Sequence, residues 1–172
     1  MSHNHSAQKI FEEGMAEFAS HNYNQSIVRL SQAIELDPEF TLAFKGRGAA
    51  YLKLDRIEEA IADFSAVIEL KPQSARAHHL RGLAYEKSGN NGKALDDFNR
   101  ALELDGNYGA AYFSRANLYS KMGNTEQATE DIRMVTHLTE VNVETFANDN
   151  NVWRSQHLRL ESIYGDDLAM ER

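Results

Sequence analysis

Apolar residues return along this chain at spacings of three, four and seven, the rhythm of amphipathic helices with one buried face. The stretch from Thr41 to Ser74 holds two such helices and the turns that bound them within 34 residues. Its skeleton is Phe44, Gly48, Tyr51, Ala60, Phe64, Val67 and Pro72. The same skeleton can be laid down without a gap over 7–40, 41–74, 75–108 and 109–142. The fourth position of each unit is Ile10, Phe44, His78 or Tyr112, and the eighth is Gly14, Gly48, Gly82 or Ala116. The eleventh is Glu17, Tyr51, Tyr85 or Tyr119. The twentieth is Ser26, Ala60, Ala94 or Ala128, and the twenty-fourth is Leu30, Phe64, Phe98 or Ile132.

These choices have a physical logic. Small residues at the eighth and twentieth positions let the two helices of a unit approach closely. Aromatic and aliphatic side chains fill the space beside that contact. Pro38, Pro72 and Gly106 at the thirty-second position stop the second helix and turn the chain, while Glu140 stands there in the fourth unit. The first helix must stop at the fifteenth position, occupied by His21, Asp55, Gly89 and Gly123.

The pattern resembles the tetratricopeptide repeat (TPR) family, whose signature has this 34-residue period. The resemblance covers 7–142 and implies an all-α, right-handed superhelical solenoid of four helix-turn-helix units. A polar tail is expected over 1–6, a capping helix over 143–164 and a frayed acidic end over 165–172. Phe146 and Trp153 fall at the fourth and eleventh positions of a fifth first helix, and Leu160 follows seven residues on. The Asn-Asp-Asn-Asn run at 148–151 is poor helix material, so this helix is expected to start near Asn150.

The seventh and twenty-third positions carry charges of opposite sign. They are Arg47 with Asp63, Arg81 with Asp97 and Arg115 with Asp131, and in the first unit the order is swapped to Glu13 with Arg29. Four intra-unit salt bridges are expected, of the exposed kind worth about 0–1 kcal/mol each.

The resemblance also implies a concave face lined by the second, fifth, ninth, twelfth and thirteenth positions. The residues expected to bind a peptide there are Phe11, Met15 and Phe18 of the first unit and Lys45, Ala49, Leu52 and Lys53 of the second. The third unit contributes Arg76, His79, Leu83, Glu86 and Lys87, and the fourth Phe113, Asn117 and Lys121. This face carries five basic residues and one acidic. The whole chain carries -8, so the remainder is strongly negative. Such segregation suits an acidic or carboxylate-bearing peptide, with Phe11, Phe18 and Phe113 as apolar anchors. The alternative is self-association of copies, through the apolar strip of the first unit or the capped end, giving a homo-oligomer.

Some family members clamp the C-terminal carboxylate of heat-shock chaperones. That clamp needs Lys and Asn in one unit, Asn in the next, and Lys and Arg in the third. This chain offers Phe11, Met15, Gly46, Arg76 and Leu80 in one frame, and Lys45, Ala49, Leu80, Ala110 and Ser114 in the next. Neither frame matches.

Composition narrows the remaining classes. An acidic chain repels phosphate backbones, which argues against nucleic acid. No cysteine is present, which removes disulfides, thiolate catalysis and Cys-based zinc sites. The first twenty residues hold no apolar leader and no stretch approaches a membrane span, so a cytoplasmic location and no membrane partner are expected. His3 and His5 are read as ordinary tail residues rather than metal ligands, and no metal or cofactor is expected. His78 and His79 are adjacent and point to different faces of a helix. No catalytic constellation stands out, and the chain is read as a non-enzymatic protein-binding module.

Overall fold

The computed structural model describes the backbone of residues 2–149 and the side chains of residues 6–142. Eight helices follow one another, with no strand among the described residues: α1 (Ser2–Ala19), α2 (Tyr23–Leu36), α3 (Thr41–Lys53), α4 (Ile57–Leu70), α5 (Ala75–Lys87), α6 (Asn91–Leu104), α7 (Gly109–Lys121) and α8 (Thr125–Asp149). Each packs against the helix before and after it, and α1 also touches α3, as α5 touches α7. This nearest-neighbour arrangement is that of an all-α solenoid.

The turns are made where the repeat places its breakers. His21, Asp55, Gly89 and Gly123, all at the fifteenth position, adopt φ of 64°, 61°, 77° and 81°. A left-handed residue of this kind ends a helix by letting the chain reverse. Between units, the Asp37 and Asp105 carboxylates accept hydrogen bonds from the backbone N–H groups of Glu39 and Asn107 at 3.1 and 3.0 Å. These local bonds substitute for helical ones and hold the turn. Ser74 caps α5 by accepting from the Ala77 N–H.

Close packing follows from the glycines at the eighth position. A Cβ on Gly48 would lie 2.7 Å from the Phe64 ring, and one on Gly82 would lie 2.6 Å from the Phe98 ring. Phe64 and Phe98 are fully buried, as is Leu30 beside Gly14. Each such side chain contributes about 1.5–3 kcal/mol of burial. The next unit then closes over the twenty-fourth residue. Ala43 packs on Leu30 and Ala33, Ala84 on Phe64 and Ala60, and Leu118 on Phe98 and Ala94.

All four expected ion pairs are present. Glu13 and Arg29 sit 3.8 Å apart in the open. The other three are of a different kind. Arg47, Arg81 and Arg115 each grip both oxygens of Asp63, Asp97 and Asp131 through Nε and Nη2, at 2.7–2.9 Å. The three carboxylates are only 3–4% exposed. The remaining Nη1 of each arginine donates to the twenty-fifth residue of the preceding unit: Ser31 at 2.9 Å, Ser65 at 3.1 Å and Asn99 at 2.6 Å. These arginines therefore stitch successive units together. They are not the exposed pairs expected from the sequence, because the aspartates are buried.

Two boundaries differ from expectation. Residues 2–6 are the first turn of α1 rather than a tail. At the other end, α8 does not turn at Glu140, where earlier units have Pro or Gly, and runs on to Asp149. A helix without a breaker continues. Residues 143–149 of the expected cap are thus helical and continuous with α8, while 150–164 and the acidic end 165–172 lie outside the described residues.

Candidate functional site

The first helices α1, α3, α5 and α7 lie at one register. Lys87 reaches Leu52, His79 reaches Ser114 and Lys121 reaches Glu86, each across 35 residues. The face they share holds the candidate residues, but these divide into groups with different roles.

Apolar candidates of the first unit are engaged by the chain itself. The Phe11 ring lies 5.0 Å from that of Phe40. The Met15 sulfur rests against Gly46, 3.0 Å from where a Cβ would stand. Phe18 meets Tyr23 edge-on at 5.3 Å. All three are half-buried.

His79 is buried against α7, with Nε2 paired to Ser114 Oγ at 2.9 Å and Nδ1 to Tyr108 Oη at 3.3 Å. Its ring also packs on Phe98 and Tyr108. Burial lowers its pKa, and the nearby charge of Arg76 lowers it further. Phe11 and His79 share the fifth position, and in both units the aromatic at the thirty-fourth, Phe40 or Tyr108, covers it. His78 is buried as well, with Nδ1 3.1 Å from Asp97 Oδ1. Leu52 and Leu83 are half-buried and pack into the cores of their units, and Ala49 is half-buried too.

The charged candidates split in two. Lys87 donates to the Leu52 carbonyl at 2.9 Å and pairs with Asp55 at 2.8 Å. Lys121 pairs with Glu86 at 2.5 Å. Both lysines occupy the thirteenth position and reach back to the preceding unit. Lys53 holds the same position in the second unit, but the first unit offers Phe18 and His21 where a carboxylate would be needed. Lys53 is therefore left free, and Lys45 and Arg76 likewise have no ion pair or hydrogen bond among the described residues. Lys45 is half-buried. Burial lowers its pKa, and the charges of Arg76 and Lys71 lower it further. Mutually repelling cations with no counter-charge form a local excess of positive potential, which an anion relieves.

Phe113 and Asn117 stand at the far end on α7, exposed, beside a groove between α7 and α8. Among the described residues no His/Asp/Glu group is arranged to hold a metal ion, and no helix is long and apolar enough to cross a membrane.

Sequence reasoning missed the arginine contacts to Ser31, Ser65 and Asn99. The signal was available, because a small polar residue stands at the twenty-fifth position of three consecutive units.

A TPR repeat model matches residues 48–89, and two tetratricopeptide repeat models match 75–108 and 98–130. A Protein STIP1 homolog of Dictyostelium discoideum is 41% identical over 58 residues, which is 32% of this chain and 10% of that protein. The chain thus spans about a tenth of that relative's length. A crystal structure of MamA superposes with a TM-score of 0.74 at 21% identity, over 80% of this chain and 81% of that one. A MamA structure from Desulfovibrio magneticus RS-1 gives 0.72 at 22% identity, over 78% and 76%. The first TPR of Spaghetti (RPAP3), bound to the HSP90 peptide SRMEEVD, gives 0.65 at 23% identity, over 68% of this chain and 93% of that one. At these identities the structural likeness speaks for the fold.

Proposed function

We propose that this chain, whose residues 48–130 belong to the tetratricopeptide repeat family, is a non-enzymatic module that binds an acidic peptide segment along the face of its first helices. One observation carries the reading. Lys45, Lys53 and Arg76 have no ion pair among the described residues, on a face where Lys87, Lys121 and Glu86 are neutralised by neighbours. Holding the half-buried Lys45 near the charge of the exposed Arg76 costs free energy that a bound carboxylate returns. The site is therefore narrower than the fifteen-residue face expected from the sequence. It centres on Lys45, Lys53 and Arg76 across α3 and α5, with Ala49 between them.

Self-association through the first unit draws no support from Phe11, Met15 and Phe18, which are engaged by Phe40, Gly46 and Tyr23. The RPAP3 domain binds SRMEEVD, but the clamp pattern of Lys, Asn, Asn, Lys and Arg is absent here, so that peptide is expected to bind no better than its scramble.

The test uses a fluorescent Glu/Asp-rich peptide beside its Gln/Asn counterpart. Wild type should prefer the acidic peptide, with affinity falling as salt rises. Lys45→Glu/Arg76→Glu should lose more than tenfold. Equal binding of the two peptides, or no loss in the double reversal, refutes the proposal.

A further inference from the structure

Around the turn between α4 and α5 the second unit departs from its neighbours at four positions at once. The fifth position is Phe11 in the first unit and His79 in the third, each packed against the aromatic at the thirty-fourth, but it is Lys45 in the second. The thirty-fourth, Phe40 and Tyr108 in those units, is Ser74 here. The thirty-first is Asp37 and Asp105 there, where the carboxylates hold the turn, and Lys71 here. The second position of the helix that follows, Leu42 and Ala110 there, is Arg76 here. A corner built elsewhere from aromatic rings and an acid thus becomes one of three cations and a short hydroxyl.

The three cations come from three places in the fold. Lys45 stands on α3, Lys71 is the residue that caps the C-terminus of α4, and Arg76 lies in the first turn of α5. The charges of Arg76 and Lys71 both act on the half-buried Lys45. None of the three side chains has an ion pair or hydrogen bond among the described residues. Ser74 Oγ accepts from the Ala77 N–H at 3.3 Å, which leaves its own hydrogen to donate.

We propose that Lys45, Lys71, Ser74 and Arg76 form a subsite for the phosphate of a phosphorylated serine or threonine in the bound peptide. The proposal rests on the acidic-peptide reading above and names the anion that the corner prefers. A carboxylate brings one charge and two oxygens. A phosphate monoester brings nearly two charges at neutral pH and three strong acceptor oxygens, a closer match to three cations and a hydroxyl. Lys53 favours a peptide over a free ion. It stands eight residues beyond Lys45 on α3, about 12 Å along the helix. An extended peptide covers that distance in about three to four residues. An acidic side chain at that spacing from the phosphate would reach Lys53, which a lone ion cannot do.

The test titrates the full chain with three fluorescent peptides. Two share one sequence with phosphoserine or Glu at the centre and a second Glu about four residues on, and the third is their Gln/Asn counterpart. The phosphoserine peptide should bind about tenfold tighter than the Glu peptide. Lys71→Gln, at an exposed position, should cost the phosphoserine peptide about tenfold and the Glu peptide only about twofold. Lys9→Gln, the same charge change on α1, should leave the preference for phosphoserine intact. Equal affinity for phosphoserine and Glu, both above the Gln/Asn peptide, overturns the subsite and leaves the acidic-peptide reading standing. Equal affinity for all three peptides overturns both. A preference that survives Lys71→Gln, or one that Lys9→Gln removes as well, overturns the assignment to this corner. Inorganic phosphate that displaces the phosphoserine peptide at concentrations near that peptide's own Kd assigns the corner to the free ion and overturns the peptide assignment.

Discussion

Replacing Arg47 by Met tests whether the arginines join the repeat units or merely decorate them. Arg47 donates to Asp63 Oδ2 at 2.9 Å and Oδ1 at 2.7 Å, and to Ser31 at 2.9 Å. Its guanidinium also lies 5.6 Å from the Phe44 ring and 5.9 Å from that of Tyr51. Asp63 is 4% exposed, and burial pushes its carboxyl pKa up against the pull of the Arg47 hydrogen bonds. The same bonds raise the Arg47 pKa. Truncation strands a buried carboxylate, which costs about 3–5 kcal/mol for a buried pair against about 0–1 kcal/mol for an exposed one. Because one flank of Arg47 meets water, a loss near the lower bound, about 3 kcal/mol, is expected.

The pH dependence has a definite sign. Without Arg47 the folded-state pKa of Asp63 rises further above its unfolded value. The unfolded chain then gives up the proton first, so the penalty is full at neutral pH and fades as pH falls through the folded pKa toward the unfolded one. Urea unfolding followed by circular dichroism at about pH 7 and about pH 4 reads both effects. Arg47→Met/Asp63→Leu should regain most of the loss, since two apolar groups leave nothing stranded. A loss under about 1 kcal/mol at neutral pH, or an equal loss at both pH values, refutes the account of these pairs.

Three further outcomes are expected. Gly82→Ala should destabilise by about 1–2 kcal/mol in urea despite its better helix propensity, because the new methyl meets the Phe98 ring and the core must shift. Ser26→Ala should stabilise by about 1 kcal/mol, since its buried Oγ has no hydrogen-bond partner and the equivalent Ala60 and Ala94 are buried without strain. His79, with its pKa depressed below 6.5, contributes stability that is present above that value and lost as pH falls through the folded pKa. His79→Phe should therefore flatten the fall in melting temperature between about pH 7 and about pH 5.

The architecture was legible because it is repeated. A glycine opposite a phenylalanine, as in Gly48 and Phe64, says little once, but the same pair in phase at Gly82 and Phe98 defines a helix contact. The swapped order of Glu13 and Arg29 identified the ion pairs for the same reason. Depth was not legible, since periodicity places Asp63 beside Arg47 without saying that the carboxylate is buried. The face divides where a general rule meets a particular neighbour. The fifth position holds Lys45 in the second unit, where Ser74 follows, while Phe40 and Tyr108 pack on Phe11 and His79 in the first and third. Lys87 and Lys121 look free in sequence because their partners, Asp55 and Glu86, lie more than 30 residues away. The continuation of α8 follows from Glu140 standing where the earlier units have a breaker.

The claim that function rests on the unpaired cations is tested most directly by two reversals of equal charge, titrated with the same acidic peptide. One is Lys45→Glu/Arg76→Glu and the other is Lys87→Glu/Lys121→Glu. The account predicts that the first abolishes measurable binding, while the second, which alters cations already held by Asp55 and Glu86, weakens it only a few-fold. Equal losses in the two variants would reduce the face to a general positive field and contradict the assignment of a site.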